Sequence, residues 1–127
     1  MHTMSKYQFS GISQLILLKQ DFIPFNFTGK TEKEKAVIEL FIHTFCEHQL
    51  ADNDYMNIKL HKQLNTSDTS TFYALTIQDV LKHITHIIWT DKAIPDYFIS
   101  KVKDNTLYHL LNRMEKIEFE SRMLYDI

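Results

Sequence analysis

The fold of this chain is decided by residues 31–50, which read TEKEKAVIELFIHTFCEHQL. Thr31 and Glu34 have the spacing of a capping box, in which each side chain accepts a hydrogen bond from the other residue's backbone N–H. After this start, residues recur at the three- and four-residue spacing of an amphipathic helix: Val37, Leu40, Phe41, Thr44, Phe45 and His48. Ile38 and Ile42 widen that stripe, which predicts a central helix covered on more than one side.

A helix start of the same kind follows nearer the C-terminus. Thr76 and Asp79 repeat the capping-box spacing. An apolar stripe at helical spacing follows them, made of Ile77, Val80, Leu81, Ile84, Ile87 and Ile88. The polar run at residues 90–92 is predicted to end this helix.

The last third of the chain is predicted to hold two more helices. Pro95 fits the first turn of a short helix that ends near Lys103, because the N–H that proline lacks has no helical partner there. Asn105 tolerates a positive φ and predicts a tight turn. Thr106 is then expected to cap a final helix that reaches as far as Tyr125.

The N-terminal region has a weaker helical pattern. Residues 12–22 carry apolar side chains at helical spacing, with Ser10 or Ser13 available as the N-cap. A buried strand over residues 15–18 is the alternative interpretation. We expect residues 1–8 to be poorly ordered.

The segment that precedes Thr76 is the least regular part of the chain. Residues 51–54 read Ala-Asp-Asn-Asp and are expected to end the central helix. Residues 55–64 alternate apolar and polar side chains, which is consistent with a short extended segment or an irregular helix. Residues 65–71 all carry hydrogen-bonding side chains of the kinds that favour turns, so a solvated loop is predicted there.

Composition also favours a helical fold. The 127 residues include only two glycines and two prolines, which is too few for the many tight turns of a sandwich or barrel. The hydrophobic fraction of 44% and the charged fraction of 24% are typical of a globular chain. We therefore predict a mainly α protein. It would be one domain over residues 1–127, a compact bundle of about four to six helices with at most a short extended segment around residues 55–64.

Net charge and cysteine content limit the classes of partner and the cellular compartments that fit this chain. The formal net charge is −2, from 14 basic and 16 acidic residues, so neither direct nucleic-acid binding nor membrane binding is predicted. The single cysteine, Cys46, excludes an internal disulfide and suits a reducing compartment. The N-terminus offers Met1 and Met4 as alternative starts and lacks the apolar core of a signal peptide. We expect a cytoplasmic protein.

Motifs for catalysis and cofactor binding are missing from the sequence. Phosphate-cradling loops and the nucleophile elbow both need closely spaced glycines. Gly11 and Gly29 stand alone. We therefore predict no catalytic residue and no cofactor.

Two groups of histidines have the residue types of a metal site. In the first, Cys46 and His48 point to different sides of the central helix, and no distant pair completes four ligands. We interpret His43 and His48 as partly buried packing residues and Cys46 as a core thiol.

The second group consists of Asp79, His83 and His86. One carboxylate and two imidazoles along one helix are a ligand set that suits a transition metal. Both histidines lie off the apolar stripe, so we favour solvent-facing side chains and predict no metal ligand. A small metal-binding enzyme or sensor is the alternative function that this group supports.

Acidic residues close to tyrosines are the candidate partner-binding residues. Exposed carboxylates with aromatic rings suit a protein partner that carries Lys and Arg anchors. Such residues occur at the end of the central helix, in the link after the Thr76 helix and in the C-terminal helix. They are Asp52, Asp54, Tyr55, Asp91, Asp96, Tyr97, Glu118 and Glu120.

Four short stretches between Thr76 and Ile117 have the order of a leucine-rich helix, a charged link, a two-residue turn and a closing helix with an Arg between apolar residues. They are Leu81–Ile84, Trp89–Lys92, Asp104–Leu107 and Leu110–Met114. In these stretches, over about a third of its length, the chain resembles a family of short bacterial proteins of unknown function. The chain departs from the family pattern at Trp89, Ala93 and Asn105, where a basic residue, an aromatic residue and a glycine are usual.

The resemblance implies a function by analogy. Short bacterial proteins of this type often accompany secreted or contact-dependent toxins as immunity proteins. The chain would then neutralise a cognate toxin, such as a basic nuclease domain, by direct protein–protein contact, as in contact-dependent growth inhibition. The alternative is a phage or mobile-element protein that inhibits a host defence complex.

Overall fold

The computed structural model describes residues 4–55 and 64–125, which form six α-helices and two short 3-10 helices with no β-strand among them. The α-helices are α1 (Lys6–Leu17), α2 (Glu32–Glu47), α3 (Ser70–Tyr73), α4 (Ile77–Ala93), α5 (Tyr97–Lys103) and α6 (Thr106–Tyr125). The 3-10 helices, Leu18–Phe22 and Pro24–Asn26, lie between α1 and α2. The prediction of a mainly α bundle of four to six helices is confirmed. None of the helices in these ranges combines the length and the apolar character of a membrane span.

Both predicted capping boxes are present. The Thr31 hydroxyl accepts from the Glu34 N–H at 3.1 Å, and the Glu34 carboxylate accepts from the Thr31 N–H at 3.2 Å. Thr76 and Asp79 make the same two bonds at 3.1 and 3.0 Å. Both helices therefore begin where the sequence places them.

Glu34 also holds the chain that leads into α2. Its carboxylate accepts from the hydroxyl and the N–H of Thr28, at 2.6 and 2.8 Å, and from the N–H of Gly29 at 3.1 Å. These hydrogen bonds, led by the one from the Thr28 hydroxyl, lower the pKa of Glu34 from 4.5 to about 2. Gly29 has a φ of 78°, a left-handed conformation that glycine adopts without strain.

Helix α1 begins earlier than expected. Ser5 and Gln8 form a third capping box, so the N-cap is neither Ser10 nor Ser13, and residues 5–8 form the capped first turn of a helix. The strand alternative for residues 15–18 is wrong, because these residues continue from α1 into the first 3-10 helix. Residues 1–3 lie outside the described residues.

A close approach between α1 and α2 depends on Gly11. A Cβ at this position would lie 2.4 Å from the Cβ of His48, well inside van der Waals contact. Gly11 is buried, as is His48. The small residue lets α1 lie directly on the end of α2.

The segment between α2 and α4 is only partly as predicted. Helix α2 ends at Glu47, before the predicted end at residues 51–54, because His48 is its C-cap and Gln49 adopts a left-handed φ of 57°. Within the predicted solvated loop, the side chain of Asp68 accepts from both the N–H and the hydroxyl of Ser70 and starts α3, a helix that the prediction missed. Residues 56–63, most of the predicted extended segment, lie outside the described residues.

The links on either side of α5 are partly as predicted. Pro95 precedes α5 instead of lying in its first turn, because Asp96 adopts a left-handed φ of 64° and the helix starts at Tyr97. Asn105 has the predicted positive φ, at 74°. Thr106 is the first residue of α6 and not its cap; its N–H donates to the Asp104 carboxylate at 2.9 Å.

Phenylalanines from three elements meet at the centre of the core. Phe22 from the first 3-10 helix, Phe41 from α2 and Phe98 from α5 have ring centroids 5.5 to 5.8 Å apart. All three rings are almost fully buried. Around them, α1 packs against α2 and α6, while α4 packs against α5 and α6. This packing leaves α4 with neighbours on several sides.

Candidate partner-binding site

Two of the predicted binding residues meet on α4. Tyr55 follows the turn after α2, and Tyr97 is the first residue of α5. Their ring centroids lie 6.1 and 6.2 Å from that of His86, on α4, so one imidazole sits between two phenols. All three side chains are half-buried, which fixes their positions while leaving part of each ring in solvent.

An acidic edge adjoins this aromatic group. The backbone N–H of Asp52 donates to the Thr85 hydroxyl of α4 at 3.0 Å, and the Asp52 carboxylate accepts from the Asp54 N–H at 2.8 Å. The Asp54 carboxylate lies 3.7 Å from the ammonium of Lys82. Because the backbone is tied to α4, the two carboxylates have a fixed place beside Tyr55. We call Asp52, Asp54, Tyr55, His86 and Tyr97 the Tyr55–Tyr97 surface.

A cleft of about 460 Å³ lies at the acidic edge. Its walls include both carboxylates, Lys82 and the amides of Gln49 and Gln78. The last turn of α2, which ends beside it, carries no basic residue to offset the partial negative charge of a helix C-terminus. The cleft is therefore suited to a cationic group more than to an anionic one.

The other residues of the predicted link have different roles. The Asp91 carboxylate accepts from the Phe98 N–H at 2.8 Å and so satisfies the start of α5. Asp96 is exposed at the left-handed position before that helix. Asp91 is therefore a structural acceptor, and only Asp96 of the pair offers a solvent-facing carboxylate near Tyr97.

Glu118 and Glu120 do not join this surface through any contact described for residues 4–55 and 64–125. Both lie on α6, where Glu118 forms an ion pair with Arg122. Glu118 lines a groove between α6 and α1 together with Lys6 and Phe9. The acidic residues that looked equivalent in the sequence are therefore divided between two faces.

The histidine–cysteine group on α2 is arranged differently from the prediction. Cys46 and His43 are exposed, and His43 lies 2.9 Å from the Glu47 carboxylate, so the interpretation of Cys46 as a core thiol is wrong, as is that of His43 as a packing residue. At about 100° per residue, a helix that turns Phe41 and Phe45 inward turns these positions outward. Only His48 is buried.

His48 has a defined tautomer. Its Nδ1 lies 2.9 Å from the Thr44 carbonyl, which can only accept, so Nδ1 carries the proton. Its Nε2 then accepts from the Gln14 amide at 3.3 Å, and the ring stacks on Tyr7 at 4.5 Å. His48 is a packing residue, as predicted.

The second histidine group does not converge on one point. The Asp79 carboxylate caps α4, and the Nε2 of His86 lies 3.4 Å from the Thr90 hydroxyl. The Nε2 of His83 is buried, contrary to the prediction of a solvent-facing side chain, and has no hydrogen-bond partner. In the described part of the chain, no three His, Cys, Asp or Glu side chains are grouped as metal ligands would be.

Burial controls the protonation of His83. Loss of solvation lowers the pKa of this imidazole from 6.5 to about 4; the neighbouring Asp79 raises it and His86 lowers it further. The ring is therefore neutral at neutral pH.

The sequence did not identify His86 as the centre of this surface. The spacing of Lys82 and His86 places them on one side of α4, but nothing in the sequence shows that Tyr55 and Tyr97 pack against that side. That contact depends on how residues 51–55 and α5 fold back onto α4.

Comparisons of the chain with protein-family models, with curated proteins and with solved structures found no match.

Proposed function

We propose that this protein is an immunity-type inhibitor that acts in the cytoplasm, binds a basic toxin domain through the Tyr55–Tyr97 surface and catalyses no reaction itself. The observation that carries the proposal is the packing of Tyr55 and Tyr97 against His86, with the carboxylates of Asp52 and Asp54 in the turn that leads into Tyr55.

The aromatic part of the surface has the properties of an interface centre. Tyrosine is enriched among the residues that dominate binding energy, because it offers a large contact area with few rotatable bonds. Tyr55 and Tyr97 are already held against His86 in the free protein, so little side-chain entropy is left to lose on binding.

The acidic part of the surface supports a basic partner. Carboxylates at the rim of an interface accelerate association with a positively charged protein and exclude like-charged ones. A toxin that acts on nucleic acid carries such positive charge around its active site. An inhibitor that covers that site needs shape and charge but no catalytic group of its own, which also agrees with the family resemblance of residues 76–117.

The experiment uses the polypeptide encoded beside this gene as the probe. Purified protein should bind it, and the Kd should rise as salt increases from 50 to 300 mM, because rim charges are screened. Tyr55→Ala should weaken binding at least tenfold and abolish protection of cells that express the probe. Tyr73→Ala, at an exposed tyrosine on α3, is the matched control and should leave both unchanged. Absence of binding, or equal loss in both variants, would contradict the proposal.

A further inference from the structure

His83 is the one residue described here whose buried side-chain nitrogen has no hydrogen-bond partner. It lies in the middle of α4, three residues before His86. A buried polar atom without a partner is costly, and native proteins keep few of them. Such an atom, one helical turn from His86 of the candidate binding surface, therefore calls for an explanation.

The His83 ring borders a cavity of about 400 Å³ between α4, α5 and the start of α6. The other walls include Leu64, Tyr97, Lys101 and Thr106. Tyr97 belongs to the Tyr55–Tyr97 surface, so the cavity that His83 borders is also bordered by that surface.

In residues 4–55 and 64–125, the charged and titratable groups around the ring come from α4 and from α5 with the turn that follows it. On α4, the Asp79 carboxylate favours a proton on His83, and His86 disfavours one. On α5, the Lys101 ammonium lies 5.3 Å from the centre of the Tyr97 ring and 3.3 Å from the Asp104 carboxylate. The wall from α6, Thr106, carries no charge. The Asp79 carboxylate, which favours a proton on His83, is thus opposed by burial and by the second imidazole.

Protonation of His83 changes the hydrogen bonds that its ring needs and the cost of its burial. A neutral imidazole has one nitrogen that accepts, whereas an imidazolium has two donors and a charge. A buried charge without a partner is far more costly than a buried neutral group. Rotation of the ring toward solvent is the local movement that relieves this cost, because the side chain is already partly exposed.

We infer that His83 is an acid-responsive switch: uptake of a proton moves its ring from its buried position toward solvent and rearranges Tyr97 and Lys101, which line the same cavity. The Tyr55–Tyr97 surface then has one shape at neutral pH and another in acid. The lowered pKa of His83, about 4, agrees with this geometry, since the buried position resists the proton until the solution is acidic.

The switch is tested on the free protein by NMR, with a titration from pH 7.5 to 3.5. We expect the signals of Tyr97, Lys101 and the His83 ring to move together in one transition. The transition should disappear in His83→Gln, which keeps a polar side chain but cannot titrate in this range. His43→Gln, at an exposed histidine on α2, is the matched control and should keep it. If Tyr97 and Lys101 do not move, or move equally in His83→Gln, the inference is wrong.

A second measurement covers the case in which a variant changes the fold. As pH falls from 6.5 to 4, the unfolding equilibrium constant of the wild type should increase by an additional factor of about ten per pH unit compared with that of His83→Leu. The reason is that the wild type takes up one additional proton on unfolding. Equal slopes in the two proteins would overturn the inference.

The consequence for binding depends on the proposed function. If the Tyr55–Tyr97 surface binds the toxin, the Kd for the probe should rise more steeply below pH 5 in the wild type than in His83→Gln. The NMR titration needs no partner, so failure of the switch and failure of the proposed function give different results.

Discussion

Helices α2 and α4 begin alike and differ in what surrounds them. Each starts with a capping box, each is amphipathic, and they are 16 and 17 residues long. Yet His43 of α2 is exposed beside Glu47, whereas His83 of α4 is half-buried and its Nε2 is buried without a hydrogen-bond partner. The difference lies in their neighbours: residues 52–55, α5 and α6 all contact α4, whereas the outer face of α2 around Cys46 is open to solvent. A helix's own sequence determines its start and its inner face, and the rest of the fold determines how much of the outer face is exposed to solvent.

The largest effect should separate the two faces of α2. Phe41→Ala removes a ring from the centre of the core and should cost about 3–5 kcal/mol of unfolding free energy. Leu40→Ala, one position away and half exposed, should cost less than about 1 kcal/mol. Urea unfolding of both variants checks this, and similar losses would mean that α2 is oriented differently in the bundle.

The next effect should separate the histidines of the two helices by pH. The folded pKa of His83 is about 4 and the unfolded value is 6.5, so between these values the unfolded chain binds more protons. The free energy of unfolding should therefore fall as pH drops from 6.5 to 4, by about 3 kcal/mol. His83→Leu should remove this loss, while His43→Leu should retain it. Thermal unfolding at pH 7, 5.5 and 4 measures the difference.

These two predictions show what the sequence could and could not supply. Local signals identified the starts of α2 and α4 and the left-handed Asn105, because a cap or a turn involves residues only a few positions apart. The same local reasoning gave the wrong burial for two side chains. It placed Cys46 on the inner face of α2, and it took His83 to be exposed because it did not include the elements that pack against α4. It also treated Asp54 and Glu120 as equivalent, since the face on which each acid lies depends on how distant segments pack.

A smaller effect should distinguish the two capping boxes. Thr31→Ala and Thr76→Ala should each cost about 1 kcal/mol through loss of the cap. Glu34→Gln should in addition change acid stability, because the folded pKa of Glu34, about 2, lies below its usual 4.5. The stability that its carboxylate provides is present above pH 4.5 and is lost as pH falls toward 2. Thermal unfolding at pH 5 and 3 should show a smaller pH dependence in Glu34→Gln than in the wild type. An unchanged pH dependence would contradict the hydrogen bonds between Thr28 and the Glu34 carboxylate.

The smallest effect concerns the open face of α2. Cys46→Ser should change the free energy of unfolding by less than about 0.5 kcal/mol, since the thiol is exposed. In the native wild type, a thiol reagent should label Cys46 without prior unfolding. A protected thiol would show that another surface covers α2.

Charge reversal at two exposed carboxylates tests the proposed binding surface most directly. Asp54→Lys reverses a charge on the Tyr55–Tyr97 surface, and Glu120→Lys makes the same change on α6. With the neighbouring gene's product as probe, we predict that Asp54→Lys raises the Kd at least tenfold and that Glu120→Lys changes it less than twofold. The opposite order, or equal Kd values for both variants, would contradict the assignment of this surface.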